Sequence, residues 1–135
     1  MNKNKGFSLV ELIVVVAIMA VLVGILAPAY LSYVEKTRRG TDENMAEEVR
    51  HTVEVATAEL KVYEEVNGSA TYSWSKDTTI KSGSNVGTQM GLALEDVYGD
   101  KKFEIKSKYY AGKTYTVNIS GSANGTALRV EGDWN

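Results

Sequence analysis

Polar and apolar positions are unevenly distributed along this chain. Met1–Gly6 is short and polar, with Lys3 and Lys5, whereas Phe7–Val34 is almost wholly apolar, interrupted by Ser8, Glu11 and Ser32. Leu12–Ala27 contains no polar residue and is followed by Pro28. A bilayer core needs about 20 predominantly apolar residues in a helix, so the pattern predicts a membrane-spanning helix over Phe7–Tyr33. A secretory signal is the competing reading, but its apolar part is about 7–15 residues long and ends at a small-residue cleavage site. Here the run is longer. Its nearest approach to such a site, Ala27-Pro28-Ala29, contains a proline.

Beyond the apolar run, Met45, Val49, Val53, Ala56, Leu60 and Tyr63 recur at intervals of three and four residues. That spacing predicts one buried stripe on an amphipathic helix reaching Val66. Glu43, Glu47, Arg50, Glu54, Lys61 and Glu65 form its solvated face, and His51 reads as another exposed helix residue. Thr41 with Asn44, just after Gly40, suggests a bend, and Asn67-Gly68 supplies a stop. A continuous helix from Phe7 to Val66 would be about 90 Å long.

After Asn67 the chain turns to Gly, Ser, Thr, Lys and Tyr. A short helix is expected over Gln89–Tyr98, with Met90, Leu94 and Val97 on one side and Gly99 ending it. Alternation then predicts strands. One carries Phe103, Ile105, Ser107 and Tyr109, one carries Tyr115, Val117 and Ile119, and one carries Leu128 and Val130 and leads to Trp134. Ser120–Gly125, with Asn124-Gly125, reads as a hairpin connection, and Tyr72–Trp74 or Thr78–Ile80 as an added edge strand. The fold class expected is α+β. A long N-terminal helix, apolar in its first half and amphipathic in its second, covers a three- or four-stranded antiparallel sheet.

Composition narrows the function. At 135 residues the chain fits one domain. Fifteen basic against seventeen acidic residues give no electrostatic case for nucleic acid. The absence of cysteine excludes disulfides, thiolate metal sites and a Cys nucleophile, and a single histidine argues against a His-dependent triad. No cofactor site is visible, and an enzyme is not expected. Glu131 and Asp133 are weak calcium candidates, since carboxyl oxygens are the ligands calcium takes. Asn67-Gly68-Ser69, Asn118-Ile119-Ser120 and Asn124-Gly125-Thr126 match a glycosylation triplet that arises often by chance.

Glu11 is out of place in an apolar helix, where a carboxylate costs about 2.5–3.5 kcal/mol on insertion scales. Its surroundings, Gly6-Phe7-Ser8-Leu9-Val10-Glu11-Leu12, strongly resemble the processing site of type IV prepilins and pseudopilins. The resemblance implies a leader, residues 1–6, removed between Gly6 and Phe7 by a prepilin peptidase, with N-methylation of the new terminal Phe7. It also implies that Glu11 faces the Phe7 amine of a neighbouring subunit. Pairing a buried charge rewards one axial register over others. Pro28 lacks an N–H and clashes with the preceding turn, and with Gly24 it marks a segment that the resemblance expects to melt during assembly.

The domain plan that follows is a leader (1–6), a transmembrane and filament-core helix (7–34) and an extracellular head (35–135). Lys36, Arg38 and Arg39 beyond the apolar run oppose Lys3 and Lys5 in the charge rule for topology, so the resemblance decides for a cytoplasmic N-terminus. It implies a pilus subunit, held in membrane lipid and polymerised with copies of itself into a surface filament. The implied partners are the peptidase, a platform membrane protein and an assembly ATPase. Adhesion, twitching motility and DNA uptake all belong to such filaments. A pseudopilin of a type II secretion or competence system is the alternative, and a single-pass anchored binding domain with a retained leader is the second. Many pilins close their C-terminal region with a disulfide; here the packing of Trp134 or backbone pairing must secure the end.

Overall fold

The structure, a computed structural model, describes residues 5–121 and 128–135. The chain divides into two compact units, one ending at Lys36 and the other comprising Thr37–Asn135. Helix α1 spans Leu9–Ala56 and α2 spans Leu60–Val66. Strand β1 (Ser69–Trp74), a 3-10 turn at Ile80–Ser82, helix α3 (Thr88–Tyr98), and strands β2 (Tyr115–Ser120) and β3 (Arg129–Trp134) follow.

In the first unit, α1 buries nothing. Eighteen large apolar or aromatic side chains between Phe7 and Tyr33 stand 47–94 % exposed. Withdrawing one such side chain from water is worth about 1.5–3 kcal/mol, so this surface requires lipid or protein around it. By length and composition the helix can cross a membrane.

The second unit is a helix-on-sheet sandwich. Asp42, Ala46, Val49, Val53 and Ala56 are the buried positions of α1, spaced four, three, four and three residues apart. The sheet is antiparallel in the order β1-β2-β3. Its register lines up Trp74, Tyr115 and Trp134, then Tyr72, Val117 and Gly132, then Ala70, Ile119 and Val130. These form the face that joins the core, while Thr71, Asn118 and Glu131 line up on the other. Gly132 is required on the inner face, because a β-carbon there would collide with the Tyr115 hydroxyl. Burial pushes the Tyr115 phenol up to about 12, with Glu47 adding to the shift.

Four expectations need correction. No new helix starts after Gly40, where a bend was expected; α1 runs through it, and the Thr41 hydroxyl donates to the Thr37 carbonyl (3.0 Å). The helix does not reach Val66 unbroken. It ends at Ala56, and α2 starts afresh from an extended Glu59, which changes the phase: Val62 and Val66 are buried and Tyr63 is 42 % exposed. In α3, Met90 and Leu94 are buried as expected, but Val97 faces outward.

The strand expected at Phe103–Tyr109 is a loop. Phe103, Ile105 and Ser107 are buried as the alternation predicted, but their backbone bonds elsewhere. The Phe103 amide donates to the Thr78 carbonyl (2.8 Å), and the Lys106 and Ser107 amides donate to the Asp42 carboxylate (2.8 Å each). With that strand lost, β1 forms the sheet's third member, longer than the edge strand expected at Tyr72–Trp74. Thr78–Ile80 contributes only an isolated bridge between Thr79 and Lys102. The Asn124-Gly125 turn lies outside the described residues.

The C-terminus is secured in both expected ways. Trp134 stacks on Tyr110 at 4.2 Å between centroids and packs on Phe103 and Tyr115. Thr114 and Asn135 exchange backbone hydrogen bonds of 2.8 and 2.9 Å.

Candidate functional site

Gly6 and Phe7 lie in irregular, exposed backbone just ahead of α1. Nothing lies within 4 Å of where a β-carbon on Gly6 would sit, and Phe7 is 94 % exposed. The bond between them is open to an enzyme approaching from any side. A helix interior would shield it behind i to i−4 hydrogen bonds.

Helix α1 starts immediately beyond, through a reciprocal cap. The Ser8 amide donates to Glu11 Oε2 (3.1 Å), and the Glu11 amide donates to Ser8 Oγ (3.3 Å). This is a capping box, in which Ser and a Glu three residues on satisfy two orphan donors of the first turn. A carboxylate there also meets the positive end of the helix dipole. The structure therefore brings Glu11 to Ser8 within one chain. The sequence reading treated Ser8 merely as an interruption, although Ser-x-x-Glu ahead of an apolar run is a recognisable cap signature.

Gly24 and Pro28 share one turn of α1, which stays helical through both. Pro28 has no N–H to offer the carbonyl four residues earlier, which belongs to Gly24. One residue thus removes the hydrogen bond at the position where the other leaves the backbone least restrained.

Among its described residues, the head carries no comparable chemical constellation. Glu131 pairs with Arg129 (2.6 Å), and Asp133 accepts the Trp134 amide (2.8 Å). Among the described residues, no three His, Cys, Asp or Glu side chains gather into a metal-sized group. His51 is exposed. Asp42 is 1 % exposed and ties the 106–107 backbone to α1. Beside it, Glu43 accepts from the Tyr110 hydroxyl (2.7 Å) and Arg39 (3.0 Å). The tyrosine first, and the guanidinium next, hold its carboxyl below the ordinary carboxylate range.

A family model described as the prokaryotic N-terminal methylation motif matches residues 1–27, the region that holds the exposed Gly6-Phe7 bond and the capped Glu11. A fimbrial protein of Pseudomonas aeruginosa is 29 % identical over 100 % of this chain and 86 % of its own length. These two matches support a type IV pilin. A prepilin peptidase-dependent protein A of Clostridium perfringens is 29 % identical over 96 % of this chain and 85 % of its own length. A type IV major alpha-pilin of Moraxella bovis is 47 % identical over 38 residues, which are 28 % of this chain and 24 % of that one. No solved structure matches. Type IV pilins are structural subunits, not enzymes. The chain's apolar helix and its relatives fit membrane anchoring and a surface filament.

Proposed function

We propose that this chain is made as a prepilin, cut between Gly6 and Phe7, methylated on Phe7, held in the membrane by the apolar part of α1, and polymerised into a surface filament. The observation that carries this reading is the exposed apolar stretch of helix that begins two residues beyond an exposed Gly6-Phe7 bond and bears a single carboxylate. The name of the Clostridium relative, dependent on prepilin peptidase, supports the first step.

In the filament, the exposed face of α1 packs against the same face of neighbouring copies. Glu11 leaves Ser8 and pairs with a neighbour's Phe7 amine, which becomes available only after cleavage. That exchange replaces a neutral donor with a charged one, and charge-assisted hydrogen bonds are roughly twice as strong as neutral ones. The Gly24–Pro28 turn unwinds as the helices pack. The N-terminus starts in the cytoplasm and the head outside, and a platform protein and an ATPase drive extraction from lipid. Adhesion or twitching motility is the filament's task.

Intact mass and N-terminal sequencing of material sheared from native cells test the reading. A chain starting at methylated Phe7, recovered in a high-molecular-weight fraction, is the expected result. A chain still starting at Met1 would sink it, and the same processed start without sheared polymer would move the protein to the pseudopilins.

A further inference from the structure

Charge within the chain is segregated. Residues 35–43 and 104–113 together hold six Lys and Arg against four Asp and Glu, whereas the rest of 44–135 holds seven against twelve. The two basic stretches are distant in sequence but are joined in the fold. The Asp42 carboxylate accepts the amides of Lys106 and Ser107, and Tyr109 takes two cations on its ring, with Arg39 Cζ 4.1 Å and Lys113 Nζ 4.7 Å from the centroid. Lys36, Arg38, Arg39, Lys106 and Lys108 are exposed, and Lys113 is half-buried.

The four acids of these stretches offset part of this charge and leave an excess of two cations. Asp42 is buried on backbone amides, and Glu43 is engaged by Arg39 and Tyr110. Glu35 is half-buried, and Glu104 stands 3.6 Å from Lys106.

We propose that this composite surface, Arg38 and Arg39 with the 106–113 loop, docks on the anionic headgroups of the bilayer that holds the chain. The inference rests on the reading of Phe7–Val34 as a membrane anchor and goes beyond it. Chain connectivity carries the argument, whatever the orientation of the head. Arg39 lies five residues past the last apolar residue, Val34. Even a fully extended chain reaches under about 20 Å in that interval, and the loop is clipped to the same turn by Asp42 and Tyr109. Each Lys or Arg held at an anionic lipid surface contributes about 1 kcal/mol of attraction. Tyrosine half in and half out of water suits the headgroup level, and Tyr109 is 52 % exposed. A second copy's acidic face is the rival partner, but it must be found by collision, whereas lipid is tethered at a fixed high effective concentration.

The absence of cysteine gives a clean test. Full-length chain carrying A111C, an exposed position in the loop, is placed singly in nanodiscs of phosphatidylcholine, with or without one-third phosphatidylglycerol, and its alkylation rate is measured. An S75C chain serves as the remote control. The anionic lipid should slow A111C alkylation about fivefold or more, high salt should restore it, and S75C should not respond. K106E/K108E in the A111C background should abolish the lipid effect, and K106A/K108A should weaken it with little effect on the fold. Equal rates in both lipids overturn the inference while leaving the anchor intact. Protection that appears only in discs holding several chains also overturns it and places a second copy on the surface. A chain that enters no disc overturns both the anchor reading and this one.

Discussion

The two parts of helix α1 make opposite use of the same backbone. Up to Tyr33 its large side chains face outward on every side, and none is buried. From Thr37 to Ala56 the apolar residues other than the exposed Val55 fall on one stripe, which packs into the core with the chain's own sheet. A helix that is apolar all round must be surrounded by something other than water, whereas an amphipathic one needs a single partner face. The first part is therefore incomplete by itself, and the second is completed within its own domain. A protein stored in lipid and later packed against copies of itself needs the first kind, and a head that keeps its shape through that change needs the second.

Substitutions should separate the two parts. The largest effect is expected from Glu11→Val. Insertion into membrane should survive, since valine suits lipid better than glutamate, but the sheared polymer should vanish. Filaments of normal yield would remove Glu11 from the assembly account. Next comes Trp74→Ala in the head. Trp74 is fully buried and donates to the Ile80 carbonyl (2.7 Å), and Gly83 lies against its ring. Loss of about 3–5 kcal/mol is expected, measured as denaturant unfolding of the full chain in detergent, with membrane insertion unaffected.

Asp42→Ala should cost less, about 2–3 kcal/mol, because two backbone amides lose their acceptor. Hydrogen exchange should speed selectively at residues 106–110. Uniform acceleration across the sheet would contradict a local clip.

The smallest effect concerns Glu43. Its carboxyl is held below its ordinary value of 4.5 by Tyr110 and then Arg39, so its contribution is present at neutral pH and is lost as pH falls through the lowered value. Its half-exposed side chain keeps the effect small. Glu43→Gln should be slightly less stable than the parent near pH 7 and should match it in acid. A difference that persists unchanged well below pH 4.5 would contradict the assignment.

Residues whose role is set by local pattern were legible in the sequence. The apolar run, the Asn67 stop and strand β2 follow from spacing alone, whereas the Gly6-Phe7 site came from a resemblance to prepilins. Asn67 does take the left-handed conformation at the end of α2, with its amide on the Tyr63 carbonyl (3.2 Å). What escaped was set by distant partners. Alternation correctly marked Phe103, Ile105 and Ser107 as buried, but it carries no information on whether a strand or a carboxylate receives the backbone. The spacing Ala56, Leu60, Tyr63 continued the helical period across Thr57–Glu59, where the structure breaks it. Asp42 was missed because a lone carboxylate in a charged stretch ordinarily belongs to the surface.

Photo-crosslinking tests the central contrast most directly. A benzophenone amino acid replaces Val21, 62 % exposed on α1, in the chain produced in native cells. In the sheared fraction, illumination should give adducts between copies of the chain, and in the membrane-held fraction chiefly lipid adducts. Sheared material free of chain-to-chain adducts at Val21, and at every other position from Leu12 to Leu26, would show that this face is not what the subunits bring together.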